Sequence, residues 1–137
     1  KSLRDHPDLL VESLSLACIP DVKISTKLRL PSRSLSEGRL TNAQLESCLY
    51  AKAQHELVMS NGHRYGFFLG DGAGVGKGRQ QAAIMLDNFL NGRRKAVWLS
   101  ASADLIEDAR RDAFDIYGSK EMTFHNLKDF KGTEDIS

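Results

Sequence analysis

Residues 70–79 read Gly70-Asp71-Gly72-Ala73-Gly74-Val75-Gly76-Lys77-Gly78-Arg79, directly after the apolar run Tyr65-Gly66-Phe67-Phe68-Leu69. A segment with helical character follows, from about Gly76 to Asn91. Strand, glycine-rich turn, lysine and helix is the order of parts in a phosphate-binding loop. Glycines let the backbone turn tightly with positive φ, so successive amide N–H groups converge on an anion. The helix N-terminus adds unpaired N–H donors and a partial positive charge. Lys77 is then placed to bring a full positive charge to the β- and γ-phosphates.

The pattern departs from G-x-x-x-x-G-K-[ST] at both ends. Its first position holds Asp71, and its last holds Gly78, where a Ser or Thr hydroxyl normally ligates magnesium. The bland alternative is a glycine-rich strand-to-helix turn that binds nothing. Packing alone gives little reason for glycine at 72, 74, 76 and 78 with a lysine at the helix start, so nucleotide phosphate binding is the better reading.

The 137 residues are one domain's worth of chain, long enough to bury a core. A hydrophobic content of 41% with 27% charged residues is that of a globular protein. The net charge of +1 exerts no global pull toward nucleic acid or membrane, so any basic footprint is local. No apolar run approaches a membrane span, and the N-terminus lacks a signal-peptide core. Cys18 and Cys48 have no metal-ligand spacing and read as reduced thiols of an intracellular protein, with a single disulfide as the lesser alternative. The chain begins at Lys1 and stops in a polar tail, as expected of a piece of something longer.

Outward from the loop, Asp5-His6-Pro7-Asp8 looks like a helix start, with Leu9, Leu10, Leu14 and Leu16 on one face before Pro20. Val22 to Leu30 carries a weak strand alternation, and Pro31 through Gly38 is expected to be loop. Thr41-Asn42-Ala43-Gln44 fits a capping box for a helix to about Met59, with Leu45, Leu49, Ala53 and Leu57 at helical spacing. Tyr65–Leu69 is expected as a strand buried on both faces. After the loop, Ala82, Ala83, Leu86, Phe89 and Leu90 form the inward stripe of a helix that stops at Asn91-Gly92. Lys95–Ser100 reads as a second strand, with Trp98 in the core. A helix capped by Ser102 or Asp104 follows to Tyr117, then a third strand at Met122–His125 and a helix start at Leu127–Phe130. The alternation predicts an α/β fold: parallel βαβ units, helices on both faces of the sheet, and the loop at the carboxyl end of its strand.

Gly66-Phe67-Phe68-Leu69 with the loop that follows resembles the signature of the strawberry notch family, which are superfamily 2 helicase-like ATPases. Gly38-Arg39-Leu40-Thr41-Asn42-Ala43-Gln44-Leu45-Glu46-Ser47 upstream is similar too. Downstream, Gly92-Arg93-Arg94-Lys95-Ala96-Val97-Trp98-Leu99-Ser100, Asp104-Leu105 and Ala109-Arg110-Arg111-Asp112 extend the resemblance over nearly the whole chain. Gly78 is the usual residue in that family, whereas Gln80 and Gln81 depart from its Thr-Ile.

The resemblance implies the N-terminal half of a first RecA-like lobe at residues 39–137, preceded by an N-terminal extension at 1–38. It implies ATP with Mg2+ as the cofactor pair, and it places Asp71, Gly72, Ala73, Gly74, Val75, Gly76, Lys77 and Gly78 in motif I. It gives Gln44 an adenine-reading role, with its amide pairing both edges of the base, beside the competing cap role. Arg79 either assists the nucleotide or forms a surface salt bridge. Ser100-Ala101-Ser102 lies where motif Ia would face nucleic acid, although capping explains Ser102 equally well. Arg93-Arg94-Lys95 and Arg110-Arg111 read more simply as surface charge than as a nucleic-acid contact. DNA or chromatin proteins are implied partners of the full-length protein. The location implied is the nucleus, or the cytoplasm for a bacterial or phage source. Asp129, Glu134 and Asp135 lack the preceding apolar strand of a Walker B carboxylate, so this stretch is not expected to hydrolyse ATP by itself. A rival reading keeps the fold without catalysis, as a scaffold in transcriptional co-regulation.

Overall fold

The computed structural model describes residues 4–11, 14, 24–117, 123–130 and 132. Four α-helices are described: α1 (Ser32–Ser36), α2 (Asn42–Glu56), α3 (Lys77–Leu90) and α4 (Ile106–Tyr117). Short 3-10 turns lie at Ala103–Leu105 and Leu127–Asp129. Helix α3 is central, packed against α2 on one side and α4 on the other. Leu40, Cys48, Ala82, Ala83, Leu86, Ala113, Ile116 and Tyr117 form the buried core between them.

The capping box forms as the sequence requires. Thr41 Oγ1 accepts from Gln44 N at 3.3 Å, and Gln44 Oε1 accepts from Thr41 N at 3.0 Å. The buried face of α2 is Gln44, Cys48 and Ala51, however, and Leu57 is exposed. Helical spacing marks both this stripe and the Leu45–Leu49 stripe beside it. Small residues win the inner place because α3 approaches closely there, with Cys48 Sγ 3.6 Å from Gln80 O. Helix α2 also ends at Glu56 rather than Met59, because the chain reverses. Val58 and Arg64 form an antiparallel bridge, with Met59 N donating to His63 O at 2.7 Å.

Helix α3 buries Ala82, Ala83 and Leu86 as expected, while Phe89 is half-buried and Leu90 is exposed. Its C-cap is Asn91, and Gly92 N donates to Phe89 O at 2.9 Å. Helix α4 follows a 3-10 turn whose cap is Ser102, the Oγ accepting from Asp104 N at 3.3 Å.

The expected loop at 31–38 contains α1. Its Ser34 is fully buried and donates to Ile116 O at 2.9 Å. Arg33 donates to Tyr117 O at 2.6 Å and Arg39 to Asp115 O at 2.8 Å. These side chains satisfy carbonyls in the last turn of α4, which the helix itself leaves unpaired. A Ser- and Pro-rich composition could not reveal that distant partner.

The parallel sheet is not found among the described residues. Two isolated bridges are the β pairings there, Arg4 with Thr41 (parallel) and Val58 with Arg64 (antiparallel). Segments 65–70 and 95–100 are without strand pairing, and Phe68, Val97 and Leu99 are largely exposed rather than buried on both faces. An apolar, β-branched or aromatic run favours an extended backbone, but a strand also needs a ladder partner alongside it. Trp98 still packs half-buried on the helical core.

The third expected strand lies partly outside the described residues. Residues 123–126 are unpaired, and Phe124 stacks on Tyr117 with ring centroids 6.5 Å apart. The helix start at Leu127 is a single 3-10 turn. Of the N-terminal helix, residues 12–13 and 15–20 lie outside the described set. Residues 5–11 are non-helical, with Asp8 N donating to His6 Nδ1 at 3.1 Å in a local turn. Residues 24–30 form no strand, but Leu28 and Leu30 pack on the core. Cys48 is a buried free thiol, and Cys18 lies outside the described residues.

Candidate phosphate-binding site

The loop is shaped by two glycines with left-handed backbones, Gly74 at φ 86° and Gly76 at φ 87°. An L side chain is strained at both positions. At Gly76 there is also no room, because an added Cβ would collide with Gln44 Nε2. The first helical hydrogen bond of α3 runs from Gln80 N to Gly76 O at 3.2 Å. The amides of Lys77, Gly78 and Arg79 precede it and have no acceptor within the helix. Converging N–H groups at a helix start suit an anion.

Lys77 arches back over the loop. Its Nζ donates to Asp71 O at 2.8 Å and to Gly72 O at 2.7 Å. The ammonium thereby spans the mouth of the loop, held by two carbonyls that a phosphate oxygen can replace as its partners. Asp71, the acidic residue at the first loop position, accepts from Gln80 Nε2 at 2.9 Å. Gln80 is fully buried and its Oε1 has no partner among the described residues. Asp71 and Gln80 thus pin the start of the loop to the helix that follows it, through the residue that departs from Thr.

Gln44 meets the loop from the other side. Its Nε2 donates to Val75 O at 2.8 Å while its Oε1 holds the Thr41 amide. The amide serves the cap and the loop together, so both of its ends are engaged. Arg79 forms a salt bridge with Asp115 on α4 at 2.5 Å. Ala73 and Gly72 lie exposed at the loop's crest.

Of the other basic candidates, Arg93, Arg94, Arg110 and Arg111 are separately engaged. Arg110 pairs with Glu107 at 2.7 Å and Arg111 with Asp108 at 2.8 Å, both within α4. Arg93 donates to Asn88 Oδ1 at 2.9 Å, and Arg94 lies 5.7 Å from the Phe89 ring centroid. Ser102 caps its turn.

One residue at the site is not marked by the loop pattern. Asp112, on α4, packs its carboxylate directly against Gly78, where an added Cβ would collide with Oδ2. Burial pushes its carboxyl above the ordinary 3.8, opposed by Arg111 and Arg79. The sequence signal is indirect: a glycine at the hydroxyl position leaves a space that something else can fill. An oxygen donor in that space fits a magnesium ion, which takes hard oxygen ligands.

Comparison with known proteins agrees with this geometry. Residues 5–137 match the family model described as P-loop containing NTP hydrolase pore-1. The chain is 45% identical over 128 residues to the protein strawberry notch of Drosophila melanogaster, covering 93% of this chain and 8% of that protein. It is 48% identical to strawberry notch homolog 1 of Gallus gallus, over 92% of this chain and 10% of that one. Against human strawberry notch homolog 2 it is 50% identical over 82% of this chain and 8% of that protein. The chain therefore spans about a tenth of the length of these relatives. No solved structure matches it. The resemblance to strawberry notch proteins holds over most of the chain, which belongs to the family of P-loop containing NTP hydrolases of the pore-1 type.

Proposed function

We propose that the chain is the ATP-binding portion of a superfamily 2 helicase-like protein of strawberry notch type. The observation that carries this is the loop itself: left-handed Gly74 and Gly76, free amides at the start of α3, and the Lys77 ammonium poised over its mouth. Residues 72–77 cradle the triphosphate, with Lys77 exchanging its two carbonyl partners for phosphate oxygens. Asp71 and Gln44 hold the loop in register from its two flanks. Gln44 is also the adenine reader, in which role its Nε2 leaves Val75 O for the base. Magnesium, when bound, neutralises phosphate charge; the oxygen donors near it come from the loop's surroundings rather than from residue 78. Residues 39–137 carry the first half of a RecA-like lobe. Hydrolysis belongs to that longer protein, in transcriptional or chromatin regulation, acting on DNA or chromatin in the nucleus.

Gly78 favours a second reading, a phosphate loop retained in a non-catalytic scaffold, since it removes one magnesium-ligating hydroxyl. Titration calorimetry with ATP, beside Lys77→Ala, tests the first. Saturable binding markedly weakened by the substitution supports nucleotide recognition, and equal affinity of the two proteins refutes it. Magnesium-dependent ATP hydrolysis by the full-length protein separates an enzyme from a scaffold.

A further inference from the structure

In the phosphate-loop pattern the residue after the lysine contributes a hydroxyl oxygen beside the bound phosphates. Here that residue is Gly78, and the volume a side chain would fill is taken by another group. A Cβ built on Gly78 would collide with Asp112 Oδ2 and lie 3.2 Å from Asp112 Cγ. The carboxylate is therefore seated where a Ser or Thr side chain would begin. A hydroxyl residue at position 78 excludes the carboxylate sterically, so the glycine and the carboxylate are one arrangement.

The Asp112 carboxylate has no hydrogen bond or ion pair among the described residues. The cations that face it are occupied: Arg79 pairs with Asp115 at 2.5 Å and Arg111 with Asp108 at 2.8 Å. Asp115 and Asp108 add negative charge nearby. A half-buried carboxylate with committed neighbours is poorly compensated, and a divalent cation compensates it well.

We propose that the Asp112 carboxylate replaces the hydroxyl absent at position 78 as the protein's oxygen ligand for the magnesium ion that accompanies the nucleotide. This rests on the nucleotide-binding reading above. The ligand has moved from α3 to α4, so the packing of these two helices sets the metal site.

The test compares ADP affinity in excess Mg2+ with affinity in EDTA, for the parent, Asp112→Asn, and the double variant Gly78→Ser with Asp112→Ala. Mn2+ replaces Mg2+ in a parallel paramagnetic-resonance measurement, which reads the ion's coordination without turnover. In the parent, the divalent ion tightens binding by at least about tenfold, the scale of losing a partner at a metal site. Asp112→Asn, isosteric and one charge smaller, loses that enhancement while its affinity in EDTA holds or improves. The double variant regains part of it through the introduced serine hydroxyl. An enhancement that survives Asp112→Asn overturns the inference and leaves the phosphate loop standing. So does equal weakening with and without the ion, which marks a packing role. A parent that binds ADP equally in both conditions also overturns it. A folded parent that binds no nucleotide overturns the loop reading and this one together.

Discussion

The side-chain amide of Gln44 bridges Thr41 N, at 3.0 Å, and Val75 O, at 2.8 Å, joining the cap of α2 to the middle of the phosphate loop. One side chain caps a helix and fixes the path of a loop that is distant in sequence. The two contacts use opposite ends of the amide, so they can be separated by substitution.

Gln44→Glu keeps an acceptor for the cap but turns a carboxylate toward Val75 O in place of the donor. Folding stability is expected to fall by about 1 kcal/mol, one net hydrogen bond, and ATP affinity by about tenfold as the amide donor proposed to reach the adenine is lost. Gln44→Ala loses both contacts and is expected to cost about 2 kcal/mol. Chemical denaturation and calorimetry read the two effects; equal stability losses in both variants would refute the division of labour.

Lys77→Ala leaves the loop carbonyls of Asp71 and Gly72 to water, since this part of the chain is only partly buried. Little stability should be lost, within about 0.5 kcal/mol. ATP affinity should drop by about 10- to 100-fold, the worth of a charge-assisted contact to phosphate. A thermal melt and a binding isotherm on the same sample check both. A large loss of stability with unchanged affinity would reverse the assignment of Lys77 from ligand to strut.

Asp87 and Lys52 form a buried ion pair beside the core, with Nζ 3.0 Å from Oδ1 and side-chain exposures of 4% and 11%. Arg29 N also donates to Asp87 Oδ1, at 2.6 Å. Lys52→Met strands a buried carboxylate and is expected to destabilise by about 3 to 5 kcal/mol. Lys52→Met with Asp87→Leu removes both charges and should cost much less, although Arg29 N then loses its acceptor. A double-mutant cycle in urea measures the coupling, and additive losses would show the pair to be independent.

His55 introduces acid sensitivity. Its Nδ1 is buried without a partner among the described residues, and burial first, then Arg64 and Arg93, hold its pKa below the ordinary 6.5 against the pull of Asp87. The unfolded chain then takes up a proton near pH 6.5 while the folded chain takes it up only at lower pH. Stability is full above that value and declines as pH falls through it, levelling off below the folded pKa. Asp112 acts in the opposite sense at lower pH: its raised pKa lets the folded chain bind a proton first, so stability is regained as pH falls toward 3.8. Melting midpoints between about pH 7 and 5 isolate the histidine. His55→Gln is expected to flatten that slope, and an unchanged slope would place the sensitivity elsewhere.

The loop, its lysine, the capping box at Thr41 and Gln44, the stop at Asn91-Gly92 and the Ser102 cap are legible in the sequence because each is local. Backbone geometry and short-range hydrogen bonds specify them within a few residues. The existence of α2, α3 and α4 is legible as well, through spacing, whereas α1 lies where composition predicts a loop. Which stripe of α2 faces inward is not, since Leu45 and Cys48 lie on neighbouring rows and only the approach of α3 chooses between them. Gln80 likewise reads as a mere departure from a pattern until the fold shows it to be the partner of Asp71.

Glycine placement and lysine spacing act over one turn of backbone, so residues 70–79 specify a phosphate loop at the start of a helix without reference to anything distant, whereas the family resemblance draws on segments along most of the chain. Tertiary structure decided what surrounds that loop. Asp112 reaches Gly78, Gln44 reaches Val75 and Ser34 reaches the end of α4 across long stretches of chain. It also decided that the apolar runs at 65–69 and 95–100 have no ladder between them. A local pattern can specify conformation, but pairing and packing depend on which distant surface arrives, and that is a property of the whole folded chain.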